Sequence, residues 1–180
     1  MKTFEVELVL PTAKHRRQVE EYKQKYANEK MISVSLIPGC GSLENQTFDE
    51  WLQECNDHRV GKNLPKDYVP ATQFIAVRKT DGKMVGTFQV RHSLTPHLEK
   101  IGGHVGYSVA PDERNKGYAT QMLILGLEEC RKLGIKKVRV SCVKANTPSR
   151  KVIEKCGGKY DGDAEFDGKM FERYWIDICV

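Results

Sequence analysis

Hydrophobic and polar positions alternate through Phe4–Leu10, with Phe4, Val6, Leu8 and Leu10 on one side. That period predicts a half-buried first strand, ended by Pro11. From Ala13 to about Lys30 the period becomes helical: Val19, Tyr22 and Tyr26 form a narrow apolar stripe in a heavily charged segment capped by Thr12. A turn-rich stretch, Pro38-Gly39-Cys40-Gly41-Ser42, precedes a second helix over Thr47–His58, whose apolar face is Phe48, Trp51, Leu52 and Cys55. Val60–Pro70, with Gly61, Pro65 and Pro70, reads as a connection able to line a substrate entrance. The strands Thr72–Arg78 and Lys83–Arg91 are joined by Thr80-Asp81-Gly82, an Asp-Gly hairpin signal. After a loop around Thr95-Pro96-His97, a further strand runs over Gly103–Val109.

The pattern carries most chemistry where that strand ends. Arg114-Asn115-Lys116-Gly117-Tyr118-Ala119 joins it to a helix over Thr120–Leu133, with Leu123, Leu127 and Cys130 on one face and Gly134 as its stop. The first amides of a helix have no intrahelical acceptor, and the summed peptide dipoles leave that end partly positive, so a diphosphate fits there. Gly117 and Ala119 let the backbone approach closely, and Arg114 and Lys116 add positive charge. A strand over Lys137–Val143 follows. Then come a helix opened by Asn146-Thr147-Pro148-Ser149 and stopped at Gly157-Gly158, and the strands Lys159–Glu165 and Met170–Ile178 joined by Asp167-Gly168. The resulting order, β-α-α-β-β-β-α-β-α-β-β, implies an α/β chain with a mixed sheet and helices on both faces.

Composition narrows the function. With 180 residues and 39% apolar content, the chain suits one core, so residues 1–180 are read as a single domain. The formal charge of +5 suits a polyphosphate ligand, but the basic residues are scattered and form no long run, which argues against nucleic acid. Cys40, Cys55, Cys130, Cys142, Cys156 and Cys179 contain no Cys-x-x-Cys pair, so reduced thiols and a cytoplasmic location are expected. The histidines at 15, 58, 92, 97 and 104 make no helical metal pair, and no metal is expected. No apolar run approaches the roughly 20 residues that span a bilayer. Asp161-x-Asp163-x-Glu165 is not a calcium loop, because Phe166 stands where the turn glycine is required. Strand alternation would instead put the three carboxylates on one face, as an acidic wall or a charged sheet edge.

The loop, with Gly106-Tyr107 before it, the Asn-x-x-Ser helix start and the Gly-Gly stop after it, resembles the GNAT superfamily of acetyl-CoA-dependent N-acetyltransferases. Their signature is Arg/Gln-x-x-Gly-x-Gly/Ala, and the match runs from Gly103 to Lys159, closest to the branch that includes ribosomal-protein N-terminal acetyltransferases. A P-loop is excluded because Gly117 is not followed by Lys-Ser/Thr, and a Rossmann loop because its three-glycine fingerprint is absent. The resemblance implies a mostly antiparallel central sheet whose strands around the loop are parallel neighbours that splay apart to admit the pantetheine arm. It implies no metal, an amine acceptor, direct attack in a ternary complex and, at family level, a homodimer.

For the coenzyme, the resemblance assigns the Val109 backbone to pantetheine and Arg114, Asn115, Lys116, Gly117, Tyr118, Ala119 and Thr120 to the pyrophosphate. Asn146 is assigned to the pantetheine arm or to capping alone, and Ser149 with Arg150 to the adenosine end or to plain surface. A backbone N–H near Tyr107–Val109 would hold the oxyanion. His104 is the expected base, with His92 and Glu113 as weaker alternatives. The usual position of the family's acidic tyrosine holds Ile153, which leaves Tyr160, Tyr107, Tyr118 or unassisted departure of the thiolate. Ile153 also motivates a second reading, a coenzyme A-binding module with weak or no catalysis.

Overall fold

The computed structural model describes residues 4–30, 35 and 37–179. Strands β1 (Val6–Val9), β2 (Ala71–Arg78), β3 (Met84–Arg91) and β4 (Val105–Val109) form one antiparallel sheet in that order. Strands β5 (Lys137–Val143), β6 (Lys159–Phe166) and β7 (Lys169–Asp177) form a second, in the order β5-β7-β6. The sheets meet at β4 and β5, which the crossover helix α4 (Tyr118–Lys132) connects.

Alternation sorts the helices to opposite faces. Phe74, Ala76, Phe88 and Val90 face α4 and share one core with α5 (Thr147–Lys155) and with Val138, Val140, Tyr174 and Ile176 of the second sheet. Ile75 and Met84 face the other way, against Val19 and Tyr22 of α1 (Arg16–Gln24) and Phe48 and Trp51 of α2 (Phe48–Arg59). Between the Ala76–Gly86 and Val77–Met84 pairs β3 carries one extra residue, a bulge that reverses its alternation, so Val85 joins Phe88 and Val90 in one core while Met84 faces the other.

Helix α4 lies so close to β3 that a Cβ on Gly126 would overlap the Phe88 ring. Gly126→Ala would gain about 1 kcal/mol of helix propensity, but overpacking in a filled core costs about 1–3 kcal/mol. We expect a net loss of up to about 2 kcal/mol, read as a lower urea midpoint and partly recovered by adding Phe88→Leu. A raised midpoint in the single variant would mean that the ring yields and propensity wins.

Helices α1 and α3 differ from the sequence expectation. Helix α1 ends at Gln24 rather than near Lys30, with turns carrying the chain to residue 28. A short helix, α3 (Pro96–Lys100), replaces the loop: the Thr95 side chain accepts from the Leu98 amide, and Pro96 takes the first helical position. Among the described residues, no helix is long and apolar enough to cross a membrane.

Candidate active site

Backbone hydrogen-bond parity along β4 defines the site. Arg91 N–H donates to the His104 carbonyl and Ala110 N–H to the Val85 carbonyl, so even-numbered residues of β4 pair with β3. In an antiparallel ladder the odd residues then point their N–H and C=O groups the other way, toward β5. The same parity on β5, where Lys144 N–H donates to Met170 and Ile178 N–H to Lys136, turns Arg139, Ser141 and Val143 toward β4. Among the described residues these two edges are joined at one end: His104 N–H donates to the Arg139 carbonyl at 2.8 Å, Arg139 N–H donates to His104 Nδ1 at 2.9 Å, and just before β4 Gly102 N–H donates to Ser141 Oγ at 2.9 Å. Beyond it, no β4–β5 ladder forms among the described residues. The amides of Tyr107 and Val109 face that gap without a protein acceptor among the described residues, while the Val109 carbonyl accepts from Tyr26 Oη at 2.7 Å.

At the open end of the gap, the chain passes a single 3-10 turn and enters the loop. Asn115 and Gly117 both take left-handed conformations, with φ of 64° and 80°. Gly117 caps α4, which therefore starts at Tyr118, two residues earlier than the sequence pattern indicated. Among the described residues, the amides of Tyr118, Ala119 and Thr120 donate to no protein acceptor, and the first turn of α4 holds no acidic side chain. The free amides of β4 and those of α4 thus follow one another along the chain, separated by the 3-10 turn and the loop. An extended arm carrying amides and ending in a diphosphate matches that order of donors chemically.

The side chains around the loop are already engaged. Arg114 reaches outward to Glu29 at 2.8 Å and lies over the Tyr26 ring. Lys116 turns back to Glu113 at 2.8 Å. Glu113, considered as an alternative base, is buried and accepts from Lys116, Lys83 and Arg78, which hold its carboxyl down at about 2. A carboxylate so stabilised binds cations and takes no proton from an amine near neutral pH.

His104 does not stand free at the mouth of the gap, as a base would. It is buried at the closed end, where its Nδ1 lone pair is occupied by Arg139 N–H. Burial, then Arg91 and Arg139, lowers its pKa to about 4. His92 is bonded to Thr72 Oγ1 at 2.8 Å, at the far end of β3.

Tyr160 is displaced from the expected acid role by topology. It lies on β6, separated from β5 by β7, with an exposed ring and its hydroxyl donating to Asp163. That hydrogen bond raises its pKa. A bulge between Tyr160 and Asp163 also breaks the anticipated acidic wall. Asp161 pairs with Arg139, and Asp163 with Lys144, so the two carboxylates serve different partners. Tyr107, on β4 itself, stacks on Phe88 and brings its Oη to 3.0 Å from Ser149 Oγ in the first turn of α5. Burial raises the Tyr107 pKa. Asn146 caps α5, its Oδ1 accepting from the Ser149 amide at 3.2 Å.

Sequence reasoning missed Arg78, Lys83 and the role of Glu113, because their meeting depends on the registers of three strands. Among the described residues, no group of three or more His, Cys, Asp or Glu side chains is placed to hold a metal ion.

Comparison with known proteins places this geometry in context. The family model described as an acetyltransferase (GNAT) domain matches residues 6–159. No curated protein sequence matches the chain. Among solved structures, the RimL ribosomal L7/L12 alpha-N-protein acetyltransferase in complex with coenzyme A aligns with a TM-score of 0.71 at 15% identity, covering 98% of this chain and 96% of that one. The ribosomal-protein-S5-alanine acetyltransferase from Vibrio fischeri aligns at 0.70 with 16% identity, covering 98% and 95%. A spermidine N-acetyltransferase SpeG chimera from Vibrio cholerae and hSSAT aligns at 0.64 with 16% identity, covering 97% and 96%.

Proposed function

Because the chain belongs to the GNAT acetyltransferase family, it is an acetyl-CoA-dependent N-acetyltransferase, and we propose that it works by direct attack of the acceptor amine on the thioester in the β4–β5 gap. The observation that carries this reading is the set of amides, Tyr107, Val109, Tyr118, Ala119 and Thr120, that find no protein acceptor among the described residues. The first two suit the pantetheine amides and the oxyanion, and the last three suit the diphosphate. Bound acetyl-CoA supplies an activated acetyl group.

The chain's own groups then divide the work. Gap-facing N–H groups of β4 hold the carbonyl oxygen as it gains charge. Tyr107 is protonated at neutral pH, as any phenol of pKa about 10 or above is, and with Ser149 Oγ behind it donates to the departing sulfur. His104 fixes the closed end of the gap. The amine's proton passes to solvent. Free protein N-termini and spermidine, acceptors in the names of the structural neighbours, form the first acceptor panel.

Thiol release from acetyl-CoA, measured across that panel, tests the reading. Tyr107→Phe should lower kcat roughly tenfold and leave the KM for acetyl-CoA unchanged. That is less than the usual effect of losing a general acid, because a thiolate leaves readily. Binding of acetyl-CoA without amine-dependent thiol release would favour the coenzyme-binding module instead. An unchanged kcat in Tyr107→Phe would remove the hydroxyl from the chemistry.

A further inference from the structure

We propose that Arg78, at the end of β2, is the positioning residue that sets the shape of the 114–117 loop; this rests on reading that loop as the diphosphate cradle. Its Nη1 donates both to Glu113 Oε2 at 2.9 Å and to Tyr118 Oη at 3.3 Å. Those two residues are the shoulders of the loop, one on each side of residues 114–117. A single nitrogen from a strand two positions away in the sheet therefore ties both ends of the loop together.

The guanidinium is itself fixed. Its Nε and Nη2 donate to the two oxygens of Asp81 at 3.0 Å and 2.6 Å, in the tight turn that returns β2 to β3. Planar fork geometry leaves the group one orientation, with Nη1 aimed at the loop. Lys83, on the other limb of the same turn, donates to the second Glu113 oxygen at 2.6 Å. The β2–β3 turn and the loop are thus clamped through one buried carboxylate.

The loop needs such a brace. Residues 114–117 are exposed, and two of them, Asn115 and Gly117, hold left-handed backbone angles where the chain turns into the free amides of α4. Arg114 is committed to Glu29, and Lys116 ties the loop only to its near shoulder, Glu113 and the Asp112 carbonyl, whereas Arg78 reaches both Glu113 and Tyr118. Without the brace, the amides lose the fixed spacing that a diphosphate demands, while the β4 edge and Tyr107 stay where the sheet puts them.

The test compares two donors, acetyl-CoA and S-acetylpantetheine, which carries the thioester arm but no diphosphate. Arg78→Lys keeps the charge but loses the fork. It should raise the KM for acetyl-CoA about tenfold, leave kcat at saturating acetyl-CoA within about twofold, and leave the KM for S-acetylpantetheine unchanged. Tyr118→Phe removes one hydroxyl and should shift the acetyl-CoA KM about threefold with the same selectivity, which keeps the test available should Arg78→Lys fold poorly. An equal rise for both donors, or no rise for either, overturns the assignment of Arg78. Wild-type protein that uses the two donors with equal KM overturns the cradle itself, and Arg78's role with it.

Discussion

Ala119→Glu should raise the KM for acetyl-CoA by about 100-fold or more while raising the melting temperature of the free protein. Ala119 is the second residue of α4, in a first turn that holds free amides and no acidic side chain. A carboxylate there satisfies those amides and favours the helix dipole by about 0.3–1 kcal/mol, so the fold gains. The diphosphate then finds its donors occupied and a like charge at close range. That repulsion amounts to about 1–4 kcal/mol for charges some 4 Å apart, and a 100-fold loss needs about 2.7 kcal/mol. Ala119→Gln adds the same bulk without charge and should cost less than about tenfold. Calorimetric titration with acetyl-CoA and thermal melts of the free proteins read the two effects separately. If Ala119→Glu binds acetyl-CoA like the wild type, the α4 amides are not the diphosphate site.

How much of this was legible in the sequence depended on how local each feature is. The strand ending at Val109, the loop and α4 were readable because alternation, Gly117 and the 3.6-residue stripe lie within one short stretch. The open gap was available only through the family resemblance, since its cause is backbone parity on two strands in different sheets. Helix α3 left a usable signal, Thr95 followed by Pro96, but its five residues are too short for periodicity to declare. The expected acidic face on β6 failed through one inserted residue, since a bulge reverses the alternation on which the expectation rested.

Longer-range partnerships were illegible for a different reason. Nothing near Arg78 in the sequence points to Glu113, 35 positions away; β1-β2-β3-β4 pairing brings them together. Glu113 looked like a first-turn carboxylate or a spare base, and only its three cationic partners disclose a structural charge centre. The same holds for Tyr107. Its hydroxyl gains a role from Ser149, which α5 delivers from 42 residues further along. Residue type and spacing indicated which chemistry the chain needs, and tertiary packing decided which residue performs it.

His104 is the sharpest instance, and it carries a pH prediction of comparable size. The neutral ring accepts a backbone hydrogen bond in a buried place beside Arg91 and Arg139, and its pKa falls from 6.5 to about 4. Above pH 6.5 the ring is neutral in both folded and unfolded chains, and the stabilising contribution is complete. As pH falls from 6.5 to 4, the unfolded chain takes up a proton that the native ring refuses, so stability is lost through that window, by about 3 kcal/mol in all. His104→Asn keeps an acceptor for Arg139 N–H but does not titrate. Urea unfolding between pH 7.5 and 4 should therefore show the wild type losing about 3 kcal/mol more than this variant. His15 and His92, whose pKa values are also lowered, titrate in both proteins and cancel. Glu113 and Asp81, held at about 2, add losses only as pH falls below the ordinary carboxylate range toward that value. Catalysis separates the clamp from the base: a clamp leaves kcat without a limb near pH 6–7, because the native ring is neutral throughout that range. A limb there that disappears in His104→Asn would return His104 to proton transfer, and parallel stability curves would remove it as the acid-sensitive group at the junction of the two sheets.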